Sequence, residues 1–239
     1  MNITEQTTIG DLVAEDYRTA TVFRDHGIDF CCNGKRSIAE ACEKQDLEPG
    51  TLIKALIRSV QHVSEAATDF RSWPPDLLAD YIEKKHHRYV TARIKEIQPL
   101  LNKVTIVHGT AHPELNEIGT LFDECALELT IHMKKEEMIL FPYIRKMVAS
   151  GTSPVDAPFQ TIQSPIAMMM REHSAEGERF RRISTLSHNY TPPADACNTY
   201  RVTYALLEEF EQDLHMHIHL ENNILFVRAA EMEQERRPE

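Results

Sequence analysis

Apolar residues recur along most of this chain at alternating steps of three and four, the spacing of one helix face. The pattern is longest in four segments, about 76–103, 113–149, 165–187 and 193–232. Turn-forming residues separate them: Gly109 to Pro113, the Ser-, Thr- and Pro-containing stretch Gly151 to Pro165, and Pro192-Pro193. Pro99 and Pro142 lie inside two of these segments, where a missing N–H is expected to kink or end the helix. Four antiparallel helices with mostly short connections describe an up-down-up-down bundle. Ahead of them, one short helix is expected from about Asp16 to His26, stopped by Gly27. Another begins near Ser37, and a third follows Pro49-Gly50 with Leu52, Leu56 and Ile57 as its apolar face. The stretch 64–75, with Thr68, Ser72 and Pro74-Pro75, reads as a linker. The expected fold is therefore all-α, with a small helical domain over 1–63 and a four-helix bundle over 76–235.

Chemistry enters when the apolar stripes are written out. The second long segment gives Leu115, Ile118, Phe122, Cys125, Leu129, His132, Glu136, Ile139 and Tyr143. The fourth gives Tyr200, Thr203, Leu207, Phe210, Leu214, His217, Glu221 and Ile224. Each core-facing stripe is interrupted by a His and, one turn later, a Glu, so the two side chains can reach a common point. A buried carboxylate is costly unless it is paired or binds a metal, and two in one core call for a cation. The bare spacing says little, since about one His-x-x-x-Glu pair arises by chance in a chain of this composition. The context says more: His132, Glu136, Ile139, Leu140 and Phe141 repeat as His217, Glu221, Ile224, Leu225 and Phe226, 85 residues on.

This pseudo-repeat predicts further ligands on the first and third helices. His173 lies on the stripe Ile166, Met169, His173, Gly177, Phe180, Ile183. His87 continues forward into Val90, Ile94, Ile97 and Leu101, while His86 fits backward through Ile82 and Leu78. Periodicity leaves that pair open, and whichever is not a ligand is expected at the surface. His215 and His219 flank His217 on roughly the opposite side of the helix, and His108 and His112 sit in a turn, where a structural role is expected. His26, His62 and His188 have no assigned partner. Four imidazoles and two carboxylates suit iron or manganese better than a thiolate-loving zinc site, and two bridging carboxylates with two His per metal describe a dinuclear centre.

Composition narrows the surroundings. With Lys+Arg 26 against Asp+Glu 37 the net charge is −11, which argues against a nucleic-acid partner. No stretch approaches the roughly 18 apolar residues of a membrane span, and the polar, acidic first residues do not read as a signal peptide. Five cysteines disfavour a secreted disulfide framework, so a reducing cytoplasm is expected. Cys31-Cys32 precedes Asn33-Gly34-Lys35 and is expected in an accessible turn, with the cation lowering the thiol pKa. Cys42, Cys125 and Cys197 are expected to be structural.

Several motifs together resemble one family. Asp29-Phe30-Cys31-Cys32-Asn33-Gly34-Lys35, His86-His87-x-Tyr89-Val90, Val107-His108-Gly109, His132-Met133-x-Lys135-Glu136-Glu137-x-Ile139-Leu140-Phe141-Pro142 and His219-Leu220-Glu221-Asn222-Asn223-x-Leu225-Phe226 look like the RIC proteins (repair of iron centres, the ScdA/YtfE type) over essentially the whole chain. The resemblance implies a thiol-bearing N-terminal domain and a haemerythrin-like bundle holding two oxo-bridged, non-haem iron ions. It assigns the ligands to His87, His132, Glu136, His173, His217 and Glu221, with both Glu bridging, and gives Cys31 and Cys32 a redox or iron-transfer role. It implies repair of iron–sulfur clusters damaged by nitrosative or oxidative stress, through iron donation, nitric-oxide reduction, or both. Its implied partners are damaged iron–sulfur proteins and nitric oxide or oxygen, with a homodimer left open. The oxygen-carrying haemerythrins place another His where this chain has Gly177 and end in His-x-x-x-x-Asp rather than His217-x-x-x-Glu221. A di-iron sensor or carrier is the competing reading.

Overall fold

In the computed structural model, which describes residues 3–61, 68–153 and 155–236, the regular elements are helices. One isolated antiparallel bridge joins Thr8 to Ser37. The all-α expectation holds. The chain divides into two units, Met1–Leu78 with Ile218–Glu239, and Ala79–His217.

In the first unit α1 (Ile9–Glu15), α2 (Arg18–Asp25), α3 (Ile38–Gln45) and α4 (Pro49–Gln61) are each placed by local signals. The helix expected from about Asp16 to His26 forms as α2, and α1 precedes it as a further helix; between the two, the Asp16 carboxylate accepts from the Arg18 N–H at 3.0 Å. Helix α1 is too short, with Ile9, Leu12 and Val13 as its buried face, to announce itself by periodicity. Gly27 ends α2 in the left-handed region at φ 66°, and the Ile28 N–H returns to the Phe23 carbonyl at 2.8 Å. Ser37 opens α3 with a reciprocal capping box to Glu40. In α4, Leu52 and Leu56 are buried, whereas Ile57 turns outward, contrary to the expected stripe. Of the expected linker, residues 64–67 lie outside the described residues, as does His62; Phe70–Ser72 forms a 3-10 turn with Phe70 buried against Trp73.

The four long segments form as helices, three of them interrupted by a π turn. The first runs α5 (Pro75–Tyr81), π1 (Ile82–His87), α6 (Arg88–His108). The second runs α7 (Glu114–Lys135), π2 (Glu136–Leu140), α8 (Phe141–Ser150). The third is α9 (Gln163–Leu186), and the fourth runs α10 (Asn198–Leu220), π3 (Glu221–Leu225), α11 (Phe226–Gln234). Helix α6 packs along α7, and α7 along α9. Phe210 of α10 meets Phe122 of α7 at 5.4 Å and Phe180 of α9 at 5.5 Å, fixing the register of three helices in one layer. Each such fully buried ring contributes roughly 1.5–3 kcal/mol.

Two expectations about these helices need correction. Pro99 does not end its helix: α6 continues through it to His108, with Ile97 and Leu101 buried on either side. One lost N–H bond is outweighed by that packing. Ile139 is 45% exposed rather than core, because π2 inserts an extra residue into the turn. Leu140 and Phe141 take the inward positions instead, and Pro142 falls in the first turn of α8, directly after the π turn.

Candidate metal centre

All six expected metal-binding side chains are buried, and Glu136 and Glu221 are 0% exposed. They form two groups, each with one candidate ligand atom per residue within 4.8 Å of the others. His87, Glu136, His217 and Glu221 make one; His132, Glu136, His173 and Glu221 make the other. Both Glu belong to both groups. The two oxygens of Glu136 face different imidazoles, Oε2 lying 3.4 Å from His87 Nε2 and Oε1 3.3 Å from His132 Nε2. His173 Nε2 converges on His132 Nε2 at 3.0 Å.

Outer carboxylates aim these rings. His87 Nδ1 lies 3.1 Å from Glu137 Oε1, and His132 Nδ1 lies 2.8 Å from Glu172 Oε2. Each such bond holds the ring's proton at Nδ1 and turns Nε2 toward the carboxylate pair, the usual arrangement behind a metal-binding imidazole. The contact with His132, and Lys135 beyond it, hold Glu172 down to about 2 against burial. Burial raises Glu137, but Lys134 and His87 outweigh it and leave the carboxylate lowered. Both second carboxylates are therefore anionic at neutral pH. Sequence reasoning missed them. Glu137 and Glu172 are direct neighbours of Glu136 and His173, and an acid beside a buried ligand was the available signal.

The donors fit a metal. Two dry carboxylates in one core are tolerable only with positive charge between them, and nitrogen and oxygen donors in this ratio suit a first-row transition ion. Three π turns fall at these residues: π1 ends with His86 and His87, π2 opens on Glu136 and π3 opens on Glu221. A π turn is costly and is retained mostly at functional sites.

His86 is not the surface residue expected of the second histidine in its pair. It is 2% exposed, its Nδ1 3.1 Å from Asp213 Oδ2 and its ring stacked on that of His217 at 5.8 Å. The π turn is the reason, since it lets two consecutive residues both face inward. His219 is also buried, and by another surface. Its ring forms a cluster with those of Tyr17 and Phe30, 6.1 Å from each, and Nδ1 pairs with Asn223; burial lowers its pKa to about 3.

The cysteine turn departs further from expectation. Cys31 is 3% exposed, whereas Cys32 is half-buried. Asp29, not Lys35, organises them: its Oδ1 accepts from the N–H groups of Cys31 at 3.1 Å and Cys32 at 2.9 Å, and lies 3.4 Å from Cys31 Sγ. The neighbouring Cys32 sulfur at 3.7 Å, burial and the Asp29 charge push the Cys31 thiol well above its ordinary pKa. It is a protonated thiol donating to a carboxylate, not the accessible thiolate expected from Lys35. The same unit ties this turn to π3. Asn222 and Asn223 donate to the Cys31 carbonyl at 3.3 and 3.2 Å, one and two residues after Glu221. A side chain at Gly10 or Gly34 would meet Asn223 Oδ1 at 2.8 or 2.9 Å, so only glycine lets the asparagine in.

Comparisons with known proteins identify two families along the chain. Residues 5–59 match the ScdA_N family, described as a domain of unknown function (DUF542), and residues 78–229 match the hemerythrin HHE cation binding domain. The chain is similar to proteins named iron-sulfur cluster repair protein YtfE from Yersinia pestis (strain Pestoides F) and Yersinia pseudotuberculosis (serotype O:1b, strain IP 31758). Each is 35% identical over 222 residues, which cover 93% of this chain and 96% of the relative.

Proposed function

Because this chain belongs to the YtfE-type iron–sulfur cluster repair family, joining an ScdA_N domain to a haemerythrin HHE cation-binding domain, we propose that it repairs iron–sulfur clusters damaged by nitrosative or oxidative stress. The metal-binding part is a di-iron centre in the bundle over 76–235, held by His87, His132, His173 and His217 with Glu136 and Glu221 as bridges. The domain over 1–63, joined through 64–75, brings Cys31 and Cys32 to the damaged cluster or its protein. The observation that carries this reading is the sharing of two buried carboxylates between two sets of imidazoles.

Bound iron would supply one-electron redox chemistry and open positions for nitric oxide or oxygen. The residues of the chain do the rest. Glu137 and Glu172 keep His87 and His132 in the tautomer that offers Nε2, and Phe141 stacks on the His87 ring at 5.6 Å, excluding water from that side. Gly177 leaves the third helix with a single buried imidazole, so each metal position has two His rather than three on one side. That favours open coordination over the crowded site of a reversible oxygen carrier. Iron passed to a damaged cluster is cargo of the same site. The buried Cys31 holds its proton until the turn is engaged, while the more exposed Cys32 is the first sulfur a partner meets. Among the described residues no helix is long and apolar enough to cross a membrane, and free cysteines are in keeping with a cytoplasmic setting.

The test is restoration of aconitase activity after nitric-oxide damage of its cluster. The iron-loaded protein is expected to restore it, and the Cys31→Ser, Cys32→Ser double variant to do so at least about tenfold more slowly with unchanged iron content. Equal repair by the double variant contradicts the thiol role. No repair by the loaded wild type, together with reversible oxygen binding by its reduced form, would favour the carrier reading.

A further inference from the structure

A second cluster of titratable groups lies on the connections at the far end of α6, twenty-one residues or about 30 Å along the helix from His87. Cys197 stands immediately before α10 and is exposed. His108, the last residue of α6, brings its Nε2 to 3.2 Å from Cys197 Sγ. His112, in the turn that follows, has its Nε2 at 3.1 Å from both oxygens of Asp195 and its Nδ1 at 3.4 Å from Glu114. The Tyr200 ring packs on both imidazoles, at 5.4 and 5.7 Å. The sequence reading of Cys197 as structural does not hold, since it fills no core; Cys125 does.

Of the titratable groups gathered here, His108 from α6 reaches the sulfur, while His112 from the turn pairs with Asp195 from the loop before α10 and with Glu114 from the start of α7. Asp195 and His112 offset one another, the histidine raised by the carboxylate and the carboxylate lowered by the histidine. What remains is His108 and the start of α10, whose free N–H groups carry the positive end of the helix dipole. The Tyr200 N–H first, then His108, hold the thiol down to about 7 against what burial it has.

We propose that Cys197 is a redox-modification site, a thiolate stabilised by His108 and the N-terminus of α10 that takes a small disulfide by exchange. The thiolate sulfur attacks one sulfur of the disulfide, a new S–S bond forms, and the departing sulfur leaves with its electron pair as a thiolate. No other oxidant is needed. The other cysteine of this unit, Cys125, is fully buried and its pKa is raised by burial, so it is not poised to displace the adduct. The mixed disulfide should persist until an external thiol removes it.

The experiment treats reduced, full-length protein with glutathione disulfide, maps the adduct by peptide mass spectrometry and follows its rate from about pH 5 to about pH 9. Adduct at Cys197 with an inflection near pH 7 is expected. His108→Ala should move the inflection up by about one unit and slow the reaction at neutral pH roughly fivefold to tenfold. An inflection in the ordinary thiol range of about 8.5, or adduct at Cys32 with none at Cys197, overturns the proposal. The wild-type profile decides the matter without any variant. Cys197→Ser, which should lose the adduct and keep its metal, provides the check should His108→Ala not fold.

Discussion

Glu136→Gln is expected to strip metal from both halves of the centre while making the metal-free protein more stable. Glu136 belongs to both groups, and its two oxygens face two different imidazoles at 3.3 and 3.4 Å. Gln has nearly the same shape, so the fold should survive the change. Its amide carries no charge and offers one weak oxygen, so neither metal position keeps its bridge. Changes in groups that only orient a ligand already cost 10–100-fold in affinity, and losing a shared ligand should cost at least about the upper end of that range. The metal-free state moves the other way. Without a cation, Glu136 and Glu221 are two carboxylates at 0% exposure in the same cluster, and burying charge that no cation offsets is costly. Removing one of these two buried charges should raise the urea midpoint of the apoprotein. Opposite signs for metal content and apoprotein stability separate a ligand from a residue that merely packs. Wild-type metal content in Glu136→Gln would refute the bridging role.

Removing the metal from the wild-type protein is expected to lower its melting temperature by about 10 °C or more. A ligand that binds only the native state at about a thousand times its Kd contributes about 4 kcal/mol, and for a chain of this size each kcal/mol moves the midpoint by about 2–4 °C. The loss has a structural address. Chelation leaves His87, His132, His173 and His217 with two carboxylates in a core that water does not reach. Paired melts before chelation, after it, and after restoring ferrous iron measure the effect. An unchanged midpoint with metal loss verified by atomic spectroscopy would mean that these residues pack stably without a cation, and the argument from buried charge would fail.

The main lines of the bundle were legible because its buried stripes keep helical periodicity for many turns. Leu115 through His132 and Ile166 through Ile183 are buried as their spacing predicts. Five of the six ligand candidates were legible for the same reason, as polar residues sitting where apolar ones belong, whereas His87 was told from His86 by the family resemblance alone. What was hidden is where periodicity changes. A π turn has no composition of its own, so the outward turn of Ile139 and the joint burial of His86 and His87 could not be read from steps of three and four. At the cysteine turn both a cation, Lys35, and an acid, Asp29, are near in sequence, and spacing does not say that the carboxylate is the one to reach the thiol. Burial of His219 was hidden as well, since Tyr17 and Phe30 lie some 200 residues away in sequence. Cys197 and His108 are 89 residues apart and meet only because α6 ends beside the start of α10.

In the proposed centre, six buried side chains hold two iron ions under shared carboxylates. Mössbauer spectroscopy of protein loaded with iron-57, read together with iron stoichiometry and the near-ultraviolet spectrum, tests it most directly. About two irons per chain are expected, spin-coupled in the diferric state, with oxo-to-iron charge-transfer absorption that Glu136→Gln abolishes. A single uncoupled ferric ion per chain, or coupled iron that persists in Glu136→Gln, would contradict it.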